Sequence, residues 1–151
     1  MPESRFVLRR AVEFAETDMA GILHFSNYFR FMEAVEHAFF RSLGFRVHGC
    51  ERSGVWGWAR GRADCDFRRP LRYEDEVDLE LVVIEKRRSS LRYQITFRIA
   101  DGEPSDAVVA VGTLTAVCVD KDHKSGTIRA IPMPAIIDQT IEVAAGFDQN
   151  C

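Results

Sequence analysis

Apolar positions change their period several times along the chain, and each change marks an element. In residues 5–15, Phe6, Leu8, Val12 and Phe14 stand among arginines and Glu13 in an imperfect period of two, which predicts a strand. In residues 26–43 the period lengthens. Tyr28, Phe31, Met32, Val35, Phe39 and Leu43 recur at helical spacing, Ser26 or Asn27 can cap the start, and Gly44 follows as a stop. Such a helix has about five turns and is roughly 27 Å long. Its other faces carry Phe29, Ala34, Ala38 and Phe40, which leaves Arg30, Glu33, Glu36, His37 and Arg41 for water, so it should be covered on most sides.

A polar, glycine-containing connection leads to residues 56–67, which read as a strand ending before Pro70. Val77, Leu79, Leu81 and Val83 alternate with Asp78 and Glu80, and Leu91, Tyr93, Ile95, Phe97 and Ile99 alternate with Arg92, Gln94, Thr96 and Arg98. Residues 107–119 are apolar on both faces, the pattern of a central strand. Segments 86–90 and 101–106 suit hairpin connections, so these late strands should be antiparallel. Residues 120–126 form a polar turn, 127–131 a short extended piece and 134–145 a terminal helix. There is no internal repeat or linker. The expectation is one α+β domain over residues 1–151, with a curved antiparallel sheet wrapped around one long helix.

Composition narrows the function classes. With 23 acidic against 20 basic residues in 151, the net charge of −3 gives no reason to expect a nucleic-acid partner. Hydrophobic residues make up 46%, with 11 Phe, enough for a real core. Cys50, Cys65, Cys118 and Cys151 include no C-x-x-C pair, so neither a metal site nor a redox centre is nominated, and free thiols suit a reducing cytoplasm. The N-terminal apolar run is three residues long, against about 7–15 in a signal peptide. The longest apolar stretch, residues 107–119, falls short of the roughly 20 needed to cross a bilayer, so no membrane span is expected.

The chemistry concentrates in Glu16-Thr17-Asp18-Met19-Ala20-Gly21-Ile22-Leu23-His24-Phe25-Ser26-Asn27-Tyr28, between the first strand and the helix. Asp and Gly are turn formers, and the plain reading is a turn followed by a helix cap. The loop also brings Asp18 to a helix N-terminus, where unpaired N–H groups and the positive dipole end stabilise anions. The same donors can hold an oxyanion developing on a carbonyl, and Ile22, Leu23 and Phe25 supply apolar walls.

Asp18-x-x-Gly21-Ile22, Tyr28 and the run Phe31-Met32-Glu33 resemble the signature of the 4-hydroxybenzoyl-CoA thioesterase family of hotdog-fold acyl-CoA thioesterases. Phe67-x-x-Pro70-Leu71-x-x-x-Asp75, Arg87-Arg88-Ser89-Ser90 and Arg129-Ala130-Ile131-Pro132 extend that resemblance over nearly the whole chain in order. The resemblance implies hydrolysis of an acyl-CoA without metal or organic cofactor, with Asp18 at the position of the catalytic aspartate, as nucleophile or general base. It implies an oxyanion donor in the Phe25 backbone N–H, and close approach of the thioester to Gly21. Many relatives carry Tyr-His where this chain has His24-Phe25. His24 reads first as a structural hydrogen-bonder and second as an assisting site residue, and Tyr28 as packing.

For the CoA phosphates the resemblance nominates Arg87, Arg88 and Arg129, whose planar forks suit phosphate. Trp56 and Trp58 either line an acyl pocket or are ordinary core or interface residues. Glu33 reads as structural, Cys65 and Cys118 as small core residues, and His37, His48 and His123 have no evident partners. A homodimer is expected because a curved sheet around one helix leaves an edge and an apolar loop uncovered, and the resemblance implies edge-to-edge pairing of sheets and, in some members, a tetramer of such dimers. The other readings are a hotdog hydratase, which lacks its own His and acidic motif here, and a non-catalytic acyl-thioester-binding module, which has no need of Asp18.

Overall fold

The computed structural model describes residues 2–51, 54–100 and 108–147. The expected connection at 101–106 and Cys151 lie outside these. Strand β1 (Arg5–Ala11) is shorter than the sequence period suggested. The chain leaves it where the Val12 N–H turns to Asp75 O, and Glu13 and Glu16 then close a 3-10 turn on each other at Phe14–Glu16.

Helix α1 (Phe25–Ser42) follows. Its cap is neither Ser26 nor Asn27 but His24, which is extended and whose Nδ1 accepts from the Ser26 N–H at 3.3 Å and contacts Ser26 Oγ at 2.8 Å. Asn27 is occupied elsewhere, donating from Nδ2 to Glu16 O at 2.7 Å. The expected stop holds. Gly44 takes φ +80, and the Phe45 N–H reaches back to Phe40 O.

Among the described residues seven strands form one antiparallel sheet in the order β1-β4-β5-β6-β3-β2, with β7 pairing β6. The strands are β2 (His48–Glu51), β3 (Gly54–Phe67), β4 (Glu76–Lys86), β5 (Ser90–Ile99), β6 (Val108–Asp122) and β7 (Ile128–Ala130). β2 was not legible because Gly49 and charged neighbours hide its alternation. β6 is central as expected, but it alternates buried and half-buried positions and extends three residues into the predicted turn. The terminal helix shrinks to α2 (Ala135–Thr140), where Lys86 Nζ takes up the Asp138 and Ile141 carbonyls. This is the α+β hotdog arrangement.

The inner face of the sheet wraps α1, and Phe31, Met32, Val35, Phe39, Leu79, Tyr93, Ile95 and Phe97 form the core between them. The packing leaves no room for a side chain at Gly112, where a Cβ would strike Met32 Sδ and lie 3.1 Å from Asp64 O. Glu36, expected in water, faces the sheet instead and is 1% exposed, because Arg60 reaches inward from β3 to meet it at 2.7 Å. That inward turn depends on a bulge at Gly61. Arg60 opposes Ala116 and Arg62 opposes Thr115, so the extra residue switches β3 from one face to the other. Trp58 and Arg60 point in, whereas Arg62 and Asp64 pair with each other on the outer face. β2 covers the second edge of β3 only at residues 54–57, so among the described residues positions 58–67 have a strand on one side alone.

Candidate active site

The Asp18 loop is pinned at both ends. Thr17 bridges Leu23, Ile22 bridges Arg72, and the Leu23 N–H donates to Leu71 O at 2.7 Å. Between these anchors the chain reverses, with the Asp18 N–H donating to Ile22 O and the Gly21 N–H to Asp18 O, both at 2.9 Å. The reversal requires φ +77 at Gly21, and nothing lies within 4 Å of where its Cβ would be. Both its left-handed backbone and its open surroundings fit the glycine.

Asp18 is half-buried. Its Oδ1 accepts from the Ala20 N–H at 2.8 Å and faces the Ile22 N–H at 3.5 Å, which fixes the side chain, while Oδ2 has no hydrogen-bond partner among the described residues. At the helix start the Ser26 N–H is taken by His24 and the Asn27 N–H by His24 O. The Phe25 N–H has no acceptor among the described residues, so one first-turn donor stays open. His24 is thus engaged as the cap, with Nδ1 as acceptor and its ring 4.6 Å from that of Phe25.

Asp18, Phe25, Tyr28, Phe67, Arg68 and Arg69 line one cavity of about 470 Å³. Phe25 is 62% and Phe67 48% exposed, an apolar mouth around a carboxylate. Tyr28 is buried and packs edge-on to Phe67, with ring centroids 4.8 Å apart. Burial raises its hydroxyl pKa, Cys65 adds to that, and a hydrogen bond to the Leu71 backbone opposes it. Burial likewise pushes the Cys65 thiol up to about 12, which keeps it in the thiol form at neutral pH. Sequence reasoning treated Phe67, Arg68 and Arg69 only as a strand exit. The signal was two arginines directly before Pro70, which halts the strand and leaves both beside the Asp18 loop.

The three arginines nominated for phosphates stand elsewhere. Arg87 and Arg88 are exposed on the β4–β5 hairpin and Arg129 on β7, at the end of the sheet away from the Asp18 loop. Arg87 is paired with Glu85 at 2.9 Å and Arg129 with Asp120 at 3.0 Å. Trp56 and Trp58 also lie at that end, outside the Asp18 cavity. His37 has a neighbour that the sequence did not reveal, Glu36 at 3.8 Å. No group of three or more His, Cys, Asp or Glu among the described residues is placed to hold a metal ion, and no described helix is long and apolar enough to cross a membrane.

Comparison with known proteins agrees with this fold. Residues 12–141 match the family model of the thioesterase-like superfamily. A putative esterase of Aquifex aeolicus is 32% identical over 74% of this chain and 91% of its own. The 4-hydroxybenzoyl-CoA thioesterase of Pseudomonas sp. strain CBS-3 is 26% identical over 85% of this chain and 91% of its own. In structure, a mutant 4-hydroxybenzoyl-CoA thioesterase in complex with 4-hydroxybenzoyl-CoA superposes with a TM-score of 0.78 at 21% identity, covering 93% of this chain and all of that one. The family match spans the Asp18 loop, the long helix and all but the first strand entirely, and the chain belongs to the thioesterase-like superfamily.

Proposed function

We propose that the protein is an acyl-CoA thioester hydrolase, releasing a free acid and CoA, with Asp18 as the reacting carboxylate. The observation that carries this reading is the pairing, at one cavity, of a fixed carboxylate with an open Oδ2 and an open helix-start N–H at Phe25. A thioester carbonyl placed between them has its carbon facing Oδ2 and its oxygen facing the Phe25 N–H. Attack by Oδ2 gives a tetrahedral oxyanion held by that N–H; its collapse expels CoA thiolate, which takes a proton, and water then hydrolyses the mixed anhydride. With Asp18 as general base, Oδ2 instead accepts a proton from the attacking water, and the same two products form. Gly21 lets the thioester approach the chain, and His24 acts through the helix start that it caps. The names of the relatives support the class of substrate. Arg87, Arg88 and Arg129 are the proposed partners of the CoA phosphates, and the working unit is a homodimer or a tetramer of dimers.

The test is thiol release by purified wild-type and Asp18→Asn protein across straight-chain and aromatic acyl-CoAs. Wild-type turnover that the variant loses, with binding retained, is the expected result. Binding by both proteins without turnover by either returns the acyl-thioester-binding module.

A further inference from the structure

Arg68 and Arg69 both line the Asp18 cavity, although they are adjacent in sequence just past the end of β3. Successive residues of a strand point to opposite faces, so two neighbouring side chains at one cavity need a local device. The backbone supplies it. The Arg68 N–H at 2.9 Å and the Arg69 N–H at 3.0 Å both donate to Val109 O, two residues against one, which is the count of a β-bulge, and Pro70 has no N–H to continue the pairing. Bulges re-aim side chains and gather beside active sites. Neither guanidinium is neutralised. Arg68 has only Asp66, at 3.9 Å and with both side chains more than half exposed, and Arg69 has no hydrogen-bond or ion-pair partner among the described residues. Asp18 is the only carboxylate among the described residues that line the cavity, so two cations stand against one anion there.

An apolar mouth of Phe25 and Phe67 with two open guanidiniums beside it suits an anion carried on an apolar stem. Guanidinium forks match carboxylates and phosphates alike. Reach decides between them. Taken as a sphere, a cavity of 470 Å³ is roughly 10 Å across. With a thioester at Asp18, the first phosphate of CoA is about thirteen bonds from the sulfur, roughly 15 Å along an extended arm, and so lies outside the cavity. A carboxylate three or four methylenes beyond the acyl carbonyl lies inside it. The Asp18 charge alone would repel such a group, and the two arginines reverse that balance.

We propose that Arg68 and Arg69 select acyl groups bearing a second carboxylate, so that the preferred substrates are half-thioesters of dicarboxylic acids. This rests on the Asp18 reading above and names the substrate class of that site. The two arginines determine specificity and take no part in the bond-making step.

The experiment compares wild type with Arg68→Gln/Arg69→Gln on glutaryl against pentanoyl and adipyl against hexanoyl groups, each as the CoA and as the N-acetylcysteamine thioester. Wild type is expected to favour the carboxylated member of each pair in kcat/KM. The double variant should lose about tenfold or more of that ratio on both carriers, the scale of contacts to charged groups. A wild type without the preference, or a ratio that the substitutions leave unchanged, overturns the proposal. A loss confined to CoA esters whatever the acyl group assigns the arginines to the phosphates, and an equal loss on every thioester assigns them to the reacting carbonyl; each overturns it too. Calorimetric binding of the same thioesters to Asp18→Asn, with and without the arginine changes, reads the preference without turnover. Turnover that survives Asp18→Asn, with the ratio still dependent on the arginines, overturns the Asp18 reading and leaves the arginines as readers of the acyl group.

Discussion

Asp18, just before α1, and Glu36, about three turns along it, are carboxylates held by opposite means. Asp18 is tied through one oxygen to backbone N–H groups of its own loop and stays half open. Glu36 is sealed under the sheet and depends on one guanidinium for its charge. Burial raises its pKa above the ordinary 4.5, and Arg60, by charge and hydrogen bond, pulls against that. A group fixed by local turn geometry can lose its charge without harming the fold. A group fixed by burial cannot lose its partner without cost.

The largest expected effect tests the first half of that contrast. Asp18→Asn should lower kcat by about 10²–10⁴-fold if Asp18 is a general base, and by more if it is the nucleophile, with KM little changed. Its melting temperature should stay within a degree or two of wild type, because the loop contributes little to the core; a large drop in melting would erase the distinction between the two carboxylates. Next comes Arg60→Met, which strands Glu36 and should cost about 3 kcal/mol, or roughly 6–12 °C in Tm. Adding Glu36→Gln should restore much of it, and calorimetry of the three proteins decides.

Replacing Arg87 and Arg88 together with Ala should raise KM for CoA esters by the equivalent of about 1.5 kcal/mol, the low end for hydrogen bonds to charged groups, since Arg87 must also leave Glu85. The same change should leave thioesters of N-acetylcysteamine unaffected; equal losses on both would place these arginines outside phosphate binding.

The smallest effect is a slope with pH. A carboxylate whose pKa is higher folded than unfolded penalises folding only when ionised. Glu36 therefore costs nothing below the ordinary 4.5, and its penalty grows as pH rises through the interval up to the raised value. Urea unfolding from pH 4 upward should show wild type losing stability relative to the Glu36→Gln/Arg60→Met variant across that interval. Wild type gaining stability relative to the variant as pH rises would mean that Arg60 outweighs burial.

The long helix, the antiparallel late strands and the Asp18 loop were legible because each is written in local periodicity or turn chemistry. β2 and the helix cap were not, since short strands with glycine carry little period and a histidine is not among the usual caps. Glu36 was misread for a different reason. Helical spacing placed it among polar neighbours, and only the return of Arg60 across the sheet, 24 residues later, makes its burial tolerable. Local pattern records which side chains want water and is silent about partners supplied from afar. The same silence covered Arg68 and Arg69, whose nearness to Asp18 follows from how the strand exit folds against the loop.

The bulge at Gly61 makes β3 a strand read in two phases. Before it, even-numbered residues face the helix; after it, odd-numbered ones do. Deleting Gly61 alone would act like a frameshift written in faces instead of codons: with residues 62–67 in place, Trp58 and Arg60 would swing to solvent and Glu36 would be left without its counter-ion. The single glycine thus ties the burial of one carboxylate to the spacing of a whole strand, and insertions or deletions there should be far less tolerated than substitutions.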